Sequence, residues 1–208
     1  MSAIDSTDSE LMARMACGDR EALAVLVDRY KDDLVNYLTR LGGRREAGEE
    51  LAQDTFLRLF EAAPRYREEG KFQAFLYRIA TNFARSHERR ERLHRGVMRA
   101  FSWGSAGSAG SDTAASWPFR SFEPSHEHRF LEAEAGRALE RELAELPLKF
   151  RVPLVLFAVE GWSQRAIAEF LGCAEPTVKT RIHRARERLR ARLAPYREPR
   201  IARTAGAL

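Results

Sequence analysis

Between Trp162 and Leu193 the chain reads WSQRAIAEFLGCAEPTVKTRIHRARERLRARL, and the punctuation of this stretch leaves few folds open. Ser163 is a good N-cap, and Ala166, Ile167, Phe170 and Leu171 give a short helix one apolar face. Gly172 follows where a tight turn needs a residue free to take positive φ. Pro176 suits the first position of a second helix, where its missing N–H costs nothing. In that helix Val178, Ile182, Ala185, Leu189 and Leu193 recur at helical spacing and share one stripe. Lys179, Arg181, His183, Arg184, Arg186, Arg188, Arg190 and Arg192 surround the stripe, and Glu187 is the only acid from Val178 to Leu193. The stretch has the grammar of a helix-turn-helix with a cationic second helix. Such a helix suits a DNA major groove, where Lys and Arg meet phosphates and guanine edges.

The chain has 208 residues, room for one large domain or two small ones. Its net charge of +5 favours an anionic partner. Cys17 and Cys173 are too few for a disulfide framework and wrongly spaced for a zinc site, so both are expected to be small buried hydrophobes. No apolar run approaches membrane-spanning length, and the N-terminus lacks an export pattern. A cytoplasmic location is expected.

Residues 8–17 predict a short helix with Leu11, Met12 and Met15 on its apolar side. Asp19 reads as the N-cap of a long helix to about Leu41, stopped by Gly42-Gly43. The next helix, about Arg45 to Ala62, buries Leu51, Ala52, Phe56, Leu59 and Phe60, and Pro64 ends it. From Lys71 to about Arg95, Phe72, Phe75, Leu76, Ile79, Ala80 and Phe83 follow helical spacing as core. Lys71, Arg78, Asn82, Arg85 and Arg89 fall on a different stripe, with Tyr66 and Tyr77 expected at its edges. Cations beside aromatics suit single-stranded nucleic acid, because bases stack on the rings while cations hold phosphates.

Periodicity then stops until Phe130, and Trp103–Ser111 is rich in Gly, Ser and Ala. So long a span is unusual inside one compact domain, which predicts two domains. The expected layout is a first domain over 8–97, a flexible linker over 98–128, a second domain over 129–194 and a disordered basic tail over 195–208. His126 and His128 lack a nearby third ligand and read as surface residues. Phe150 to Glu160 predicts an apolar helix with Pro153 in its first turn, leading into the helix-turn-helix. The fold class is all-α: two small helical domains joined by a flexible linker, the C-terminal one containing the helix-turn-helix.

With both domains placed, the chain resembles a sigma factor of the extracytoplasmic-function (ECF) type, the smallest members of the sigma-70 family. ELAQDTFLRLFEAAPRYREEGKFQAFLYRIATNFARSHERR, Glu50 to Arg90, is similar to the family's region 2. LPLKFRVPLVLFAVEGWSQRAIAEFLGCAEPTVKTRIHRARERL, Leu146 to Leu189, is similar to region 4. The resemblance implies an initiation subunit of bacterial RNA polymerase, active in a stress or environmental response. Gln53, Asp54, Phe56 and Leu57 match positions that dock on the clamp helices of the β′ subunit. Asn82 matches a position holding a flipped base of the −10 element, and the loop 64–70 the one forming its pocket. Together with Asn82, Tyr66, Lys71, Arg78 and Arg85 make up the expected −10 set. Lys179, Thr180, Arg181 and Arg184 match the −35 contact positions. The partners implied are core polymerase (β′ clamp helices and β flap), promoter DNA and an anti-sigma factor, which in some members sits in the membrane and would hold the chain there.

No constellation of catalytic or metal-binding residues stands out, and neither a cofactor nor an enzymatic activity is expected. The alternative reading is a stand-alone helix-turn-helix regulator, which needs a dimer interface to reach two half-sites; no heptad seam is evident.

Overall fold

The computed structural model describes residues 6–67, 69–101 and 136–197, with 95–101 and 195–197 as backbone alone. Among the described residues every regular element is helical. The chain divides into two compact units, Met1–Thr113 and Ala114–Leu208.

In the first unit, α1 (Asp8–Ala16) opens with a capping box: Thr7 Oγ1 accepts the Glu10 N–H, and the Glu10 carboxylate accepts the Thr7 N–H. Leu11, Met12 and Met15 are buried, as their spacing predicts. Cys17 is exposed at the C-cap of α1, not buried as expected, because it falls opposite that apolar face. α2 (Arg20–Gly42) is capped by Asp19, whose Oδ1 accepts the N–H groups of Glu21 and Ala22, and it ends at Gly43. Arg29 and the Tyr30 hydroxyl both reach the Asp8 carboxylate and hold α1 on α2. α3 (Arg45–Ala62) lies against α2 at close range. A Cβ at Gly48 would stand 2.3 Å from Thr39 Oγ1 and 2.8 Å from the Thr39 nitrogen, so only glycine permits this approach.

A 3₁₀ turn (Ala63–Arg65) containing Pro64 follows, and α4 (Phe72–Phe101) packs on both α2 and α3. Leu59, Leu76 and Ala80 are among the fully buried residues of this core. The backbone of α4 stays helical to Phe101, past the Met98 at which the first domain was expected to give way to linker. Apolar periodicity ends there, but Met98, Arg99 and Ala100 are good helix formers and keep a helix going without it. Trp103, His126 and His128, with most of the expected linker, lie outside the described residues.

The second unit begins with helical residues 136–144, here α5, which bury Ala138 and Leu143. α6 (Leu148–Ala158) starts directly after Pro147 and is helical where its apolar run could also pass for a strand. It starts earlier than expected, so Pro153 lies inside the helix and not in its first turn, and the Lys149 carbonyl loses its helical donor. α7 (Gln164–Leu171) and α8 (Glu175–Arg197) complete the unit. The backbone of α8 runs through Pro195 to Arg197, where a disordered tail was expected. Residues 198–208 lie outside the described residues.

Arg151 is the buried charge among the described residues of this unit, only 4% exposed. Its Nε and Nη2 donate to the Leu146 carbonyl at 3.0 and 2.6 Å, and Nη2 also donates to the Ala144 carbonyl. The Ala144 carbonyl ends α5 and the Leu146 carbonyl lies in the turn after it, so one guanidinium satisfies acceptors on both sides of the helix end.

Candidate nucleic-acid interface

The turn between α7 and α8 is built as its sequence predicts. Ser163 Oγ accepts the Ala166 N–H at 3.1 Å, and Gly172 takes the left-handed conformation at φ 62°. From that turn α8 departs with Val178, Ile182, Ala185 and Leu189 buried. This stripe fixes the rotation of α8, and Lys179, Thr180 and Arg184 are thereby exposed while Arg181 is half-buried. Thr180 Oγ1 donates to the Pro176 carbonyl at 2.9 Å, and an Arg181 guanidinium nitrogen lies 3.9 Å from Cys173 Sγ.

Charges on this unit fall into two groups. Arg165 pairs with Glu169 at 3.6 Å, His183 lies 3.3 Å from Glu187, and Arg192 meets Glu142 at 2.9 Å. Lys179 and Arg184 have no carboxylate partner among the described residues, so their charge is available to an external anion. The cations Lys179 and Arg184 near the start of α8 are therefore among the un-neutralised ones. Sequence reasoning missed one neighbour of this face: a groove of about 410 Å³ beside α8 is also lined by Lys149 and Phe150 of α6. No sequence spacing relates residue 149 to residue 181, so only the packing of α6 on α8 brings them together.

In the first unit Lys71, Arg78, Asn82 and Arg85 are all exposed, opposite the buried Leu76, Tyr77, Ala80, Thr81 and Ala84. Residues 78, 82 and 85 are one turn apart and make a continuous row. Asn82 and Arg85 bond no other described side chain. Tyr66 is half-buried, its ring 4.9 Å from that of Phe75 and 6.3 Å, edge-on, from that of Phe72. Those contacts seat the loop on the first turn of α4 and leave part of the ring open for stacking. Tyr77 is not an edge aromatic: it is 1% exposed and packs on Tyr37 with ring centroids 4.8 Å apart. Position 77 lies beside Leu76 and one turn from Ala80 and Thr81, which puts it on the core side.

On α3, Gln53 and Asp54 are exposed, and Leu57, one turn on from them, is 62% exposed. A leucine this open stands out against a well-buried core. Phe56 is 7% exposed, belongs to the buried face of α3 and does not itself face outward.

Residues 26–94 match the family model for sigma-70 region 2, and residues 136–189 match that for sigma-70 region 4. The chain is 31% identical to the ECF RNA polymerase sigma factor SigW of Bacillus subtilis, over 85% of this chain and 91% of SigW. It is 33% identical to the ECF RNA polymerase sigma factor SigE of Mycolicibacterium smegmatis, over 87% of this chain and 66% of that protein. Among solved structures it is similar to CnrH in complex with the cytosolic domain of CnrY, with a TM-score of 0.60 and 26% identity over 91% of this chain and 99% of the other. The sigma factor RpoE from Bartonella quintana, solved with the anti-sigma factor NepR, shares the fold at a TM-score of 0.57 and 20% identity, over 81% of this chain and 94% of that one.

Proposed function

The chain belongs to the ECF group of the sigma-70 family, and from that membership we propose that it binds core RNA polymerase and directs promoter-specific initiation. The observation that carries the reading is the pairing of two different nucleic-acid faces on one chain. One is the un-neutralised cationic start of α8, shaped for duplex DNA; the other is the exposed row on α4 beside Tyr66. A duplex reader needs only the first. Initiation also requires single strands, because a −10 base must leave its stack at a cost of about a few kcal/mol.

In this reading Lys179, Thr180, Arg181 and Arg184 meet the −35 element in the major groove, cations on phosphates and guanine edges, the Thr180 hydroxyl on a phosphate or base. Arg78 and Arg85 hold the phosphates of the opened −10 strand, Lys71 and Tyr66 frame the loop pocket, and the Asn82 amide bonds the extruded base. Gln53, Asp54 and Leu57 dock on the polymerase clamp, with Phe56 on the buried face of the same helix, and the second unit meets the β flap. The chain supplies recognition, and the polymerase supplies the chemistry.

An anti-sigma factor controls the chain by covering the polymerase-binding face, whose open Leu57 is costly to leave in water. No described helix is long and apolar enough to cross a membrane, which fits a chain working beside the polymerase in the cytoplasm, with any membrane tether supplied by that partner.

The test is run-off transcription from genomic fragments with core polymerase. Wild-type chain yields discrete new start sites. Asp54→Ala loses them while binding isolated duplex DNA as before. Transcription that survives Asp54→Ala, Leu57→Ala and their combination unchanged overturns the assignment of α3.

A further inference from the structure

The groove beside α8 is cationic from two helices at once. Lys149 of α6 lines it together with Arg181 and Arg184 of α8, Thr177 and Thr180 add hydroxyls, and Phe150 forms its floor. None of its lining residues is acidic. Lys149 is exposed and has no carboxylate partner among the described residues.

Phe150, only 5% exposed, organises these charges. Lys149 Nζ lies 5.1 Å from its ring centroid, and the Arg188 guanidinium carbon lies 4.6 Å from the same centroid. One immobile ring thus positions a cation from each helix, which lowers the ordering cost when an anion arrives. Arg181, Arg184 and Arg188 are spaced one turn apart on α8, so with Lys149 they make a continuous cationic lip. Lys149 also sits in the first turn of α6, whose Pro147 N-cap offers no side-chain bond, so the positive end of that helix adds to the potential.

We propose that this groove is a DNA phosphate site and that Lys149, outside the recognition helix, is a phosphate-contact residue for the duplex that α8 reads. The proposal rests on the docking of α8 in duplex DNA described above. A side chain on α6 stands beside the helix that enters the groove, and what lies beside a major groove is the sugar–phosphate backbone. Lys149 therefore contributes affinity and register without reading sequence.

The experiment titrates the full chain with a fluorescent random-sequence duplex of about 20 base pairs across a salt series. Each phosphate contact contributes about 0.9 to the slope of log affinity against log salt. Lys149→Ala is expected to make that slope shallower by about 0.9, so its affinity deficit shrinks about 3.5-fold between about 50 and about 200 mM salt. Lys31→Ala, which removes an exposed lysine from α2 in the other unit, controls for the general field and is expected to leave the slope unchanged. A Lys149→Ala slope parallel to wild type, or an equal change in Lys31→Ala, overturns the proposal. If Lys179→Ala and Arg184→Ala lower the slope while Lys149→Ala does not, only the phosphate site fails. If none of the three changes it, the docking of α8 fails with it.

Discussion

The Tyr37 phenol and the Thr81 hydroxyl lie 2.8 Å apart in the core of the first unit and join α2 to α4. Thr81 Oγ1 also donates to the Tyr77 carbonyl at 2.7 Å, which commits its single proton, so Tyr37 is the donor between them. This bond sets the rotation of α4 at the residue before Asn82. The row Arg78, Asn82 and Arg85 faces outward because Tyr77, Thr81 and Ala84 are held inward.

The donor assignment makes the two deletions unequal. Thr81→Val removes two buried hydrogen bonds, the one Thr81 accepts from Tyr37 and the one it donates to the Tyr77 carbonyl, and is expected to cost about 1–3 kcal/mol. Tyr37→Phe leaves Thr81 bonded to the Tyr77 carbonyl and is expected to cost about 0.5–1.5 kcal/mol. Urea unfolding of the first unit measures both; a larger loss in Tyr37→Phe would reverse the assignment.

Arg151 closes α5 from beneath, and its replacement leaves buried carbonyls without donors. Arg151→Met is expected to destabilise the second unit by about 1.5–3 kcal/mol. Arg151→Lys restores little, since a single ammonium cannot reproduce the guanidinium's divergent donors. Thermal unfolding with circular dichroism reads both, and a stable Arg151→Met would show that water replaces the guanidinium.

Asp19 couples stability to acid. The bond from Arg14 Nε to its Oδ2, at 2.8 Å, and the backbone N–H groups it caps hold its carboxyl below the ordinary value of 3.8. A depressed folded value means its contribution is full above the unfolded pKa and is lost as pH falls through the folded one. Asp19→Asn keeps a capping oxygen but has no charge to titrate. Urea midpoints taken between about pH 6 and about pH 2 should therefore fall less steeply in Asp19→Asn than in wild type, below about pH 4. Parallel curves would contradict the coupling.

Arg184 tests base reading. It is exposed and has no carboxylate partner among the described residues, so Arg184→Ala should change unfolding stability by no more than about 0.5 kcal/mol. On its preferred duplex it should lose about 1–3 kcal/mol of binding and relax preference at one base pair. Competition among single-base variants of the duplex distinguishes this from a uniform loss, which would reassign Arg184 to phosphate.

The helix-turn-helix is legible in the sequence because its signals are local: Ser163 caps within a turn, Gly172 takes positive φ, and Val178 to Leu189 repeat at helical spacing. The α4 row is legible for the same reason. Tyr77 is misread because a tyrosine near cations looks the same in sequence whether it faces Tyr37 or solvent. The start of α6 shifts because Pro147 stands at the N-cap position, and a helix begun there carries Pro153 inside. Lys149 joins Arg181, and Arg151 joins the end of α5, only through tertiary packing. Nothing in the local pattern distinguishes Arg151, buried, from the many exposed arginines around it.

The central claim is that this chain is a subunit of initiating RNA polymerase, and size-exclusion chromatography with purified bacterial core polymerase addresses it most directly. A stoichiometric co-eluting complex is predicted for the wild type, and its loss for Leu57→Asp with an unchanged unfolding temperature. A chain that elutes apart from polymerase yet shifts duplex DNA alone as a dimer would contradict the account and leave a stand-alone regulator.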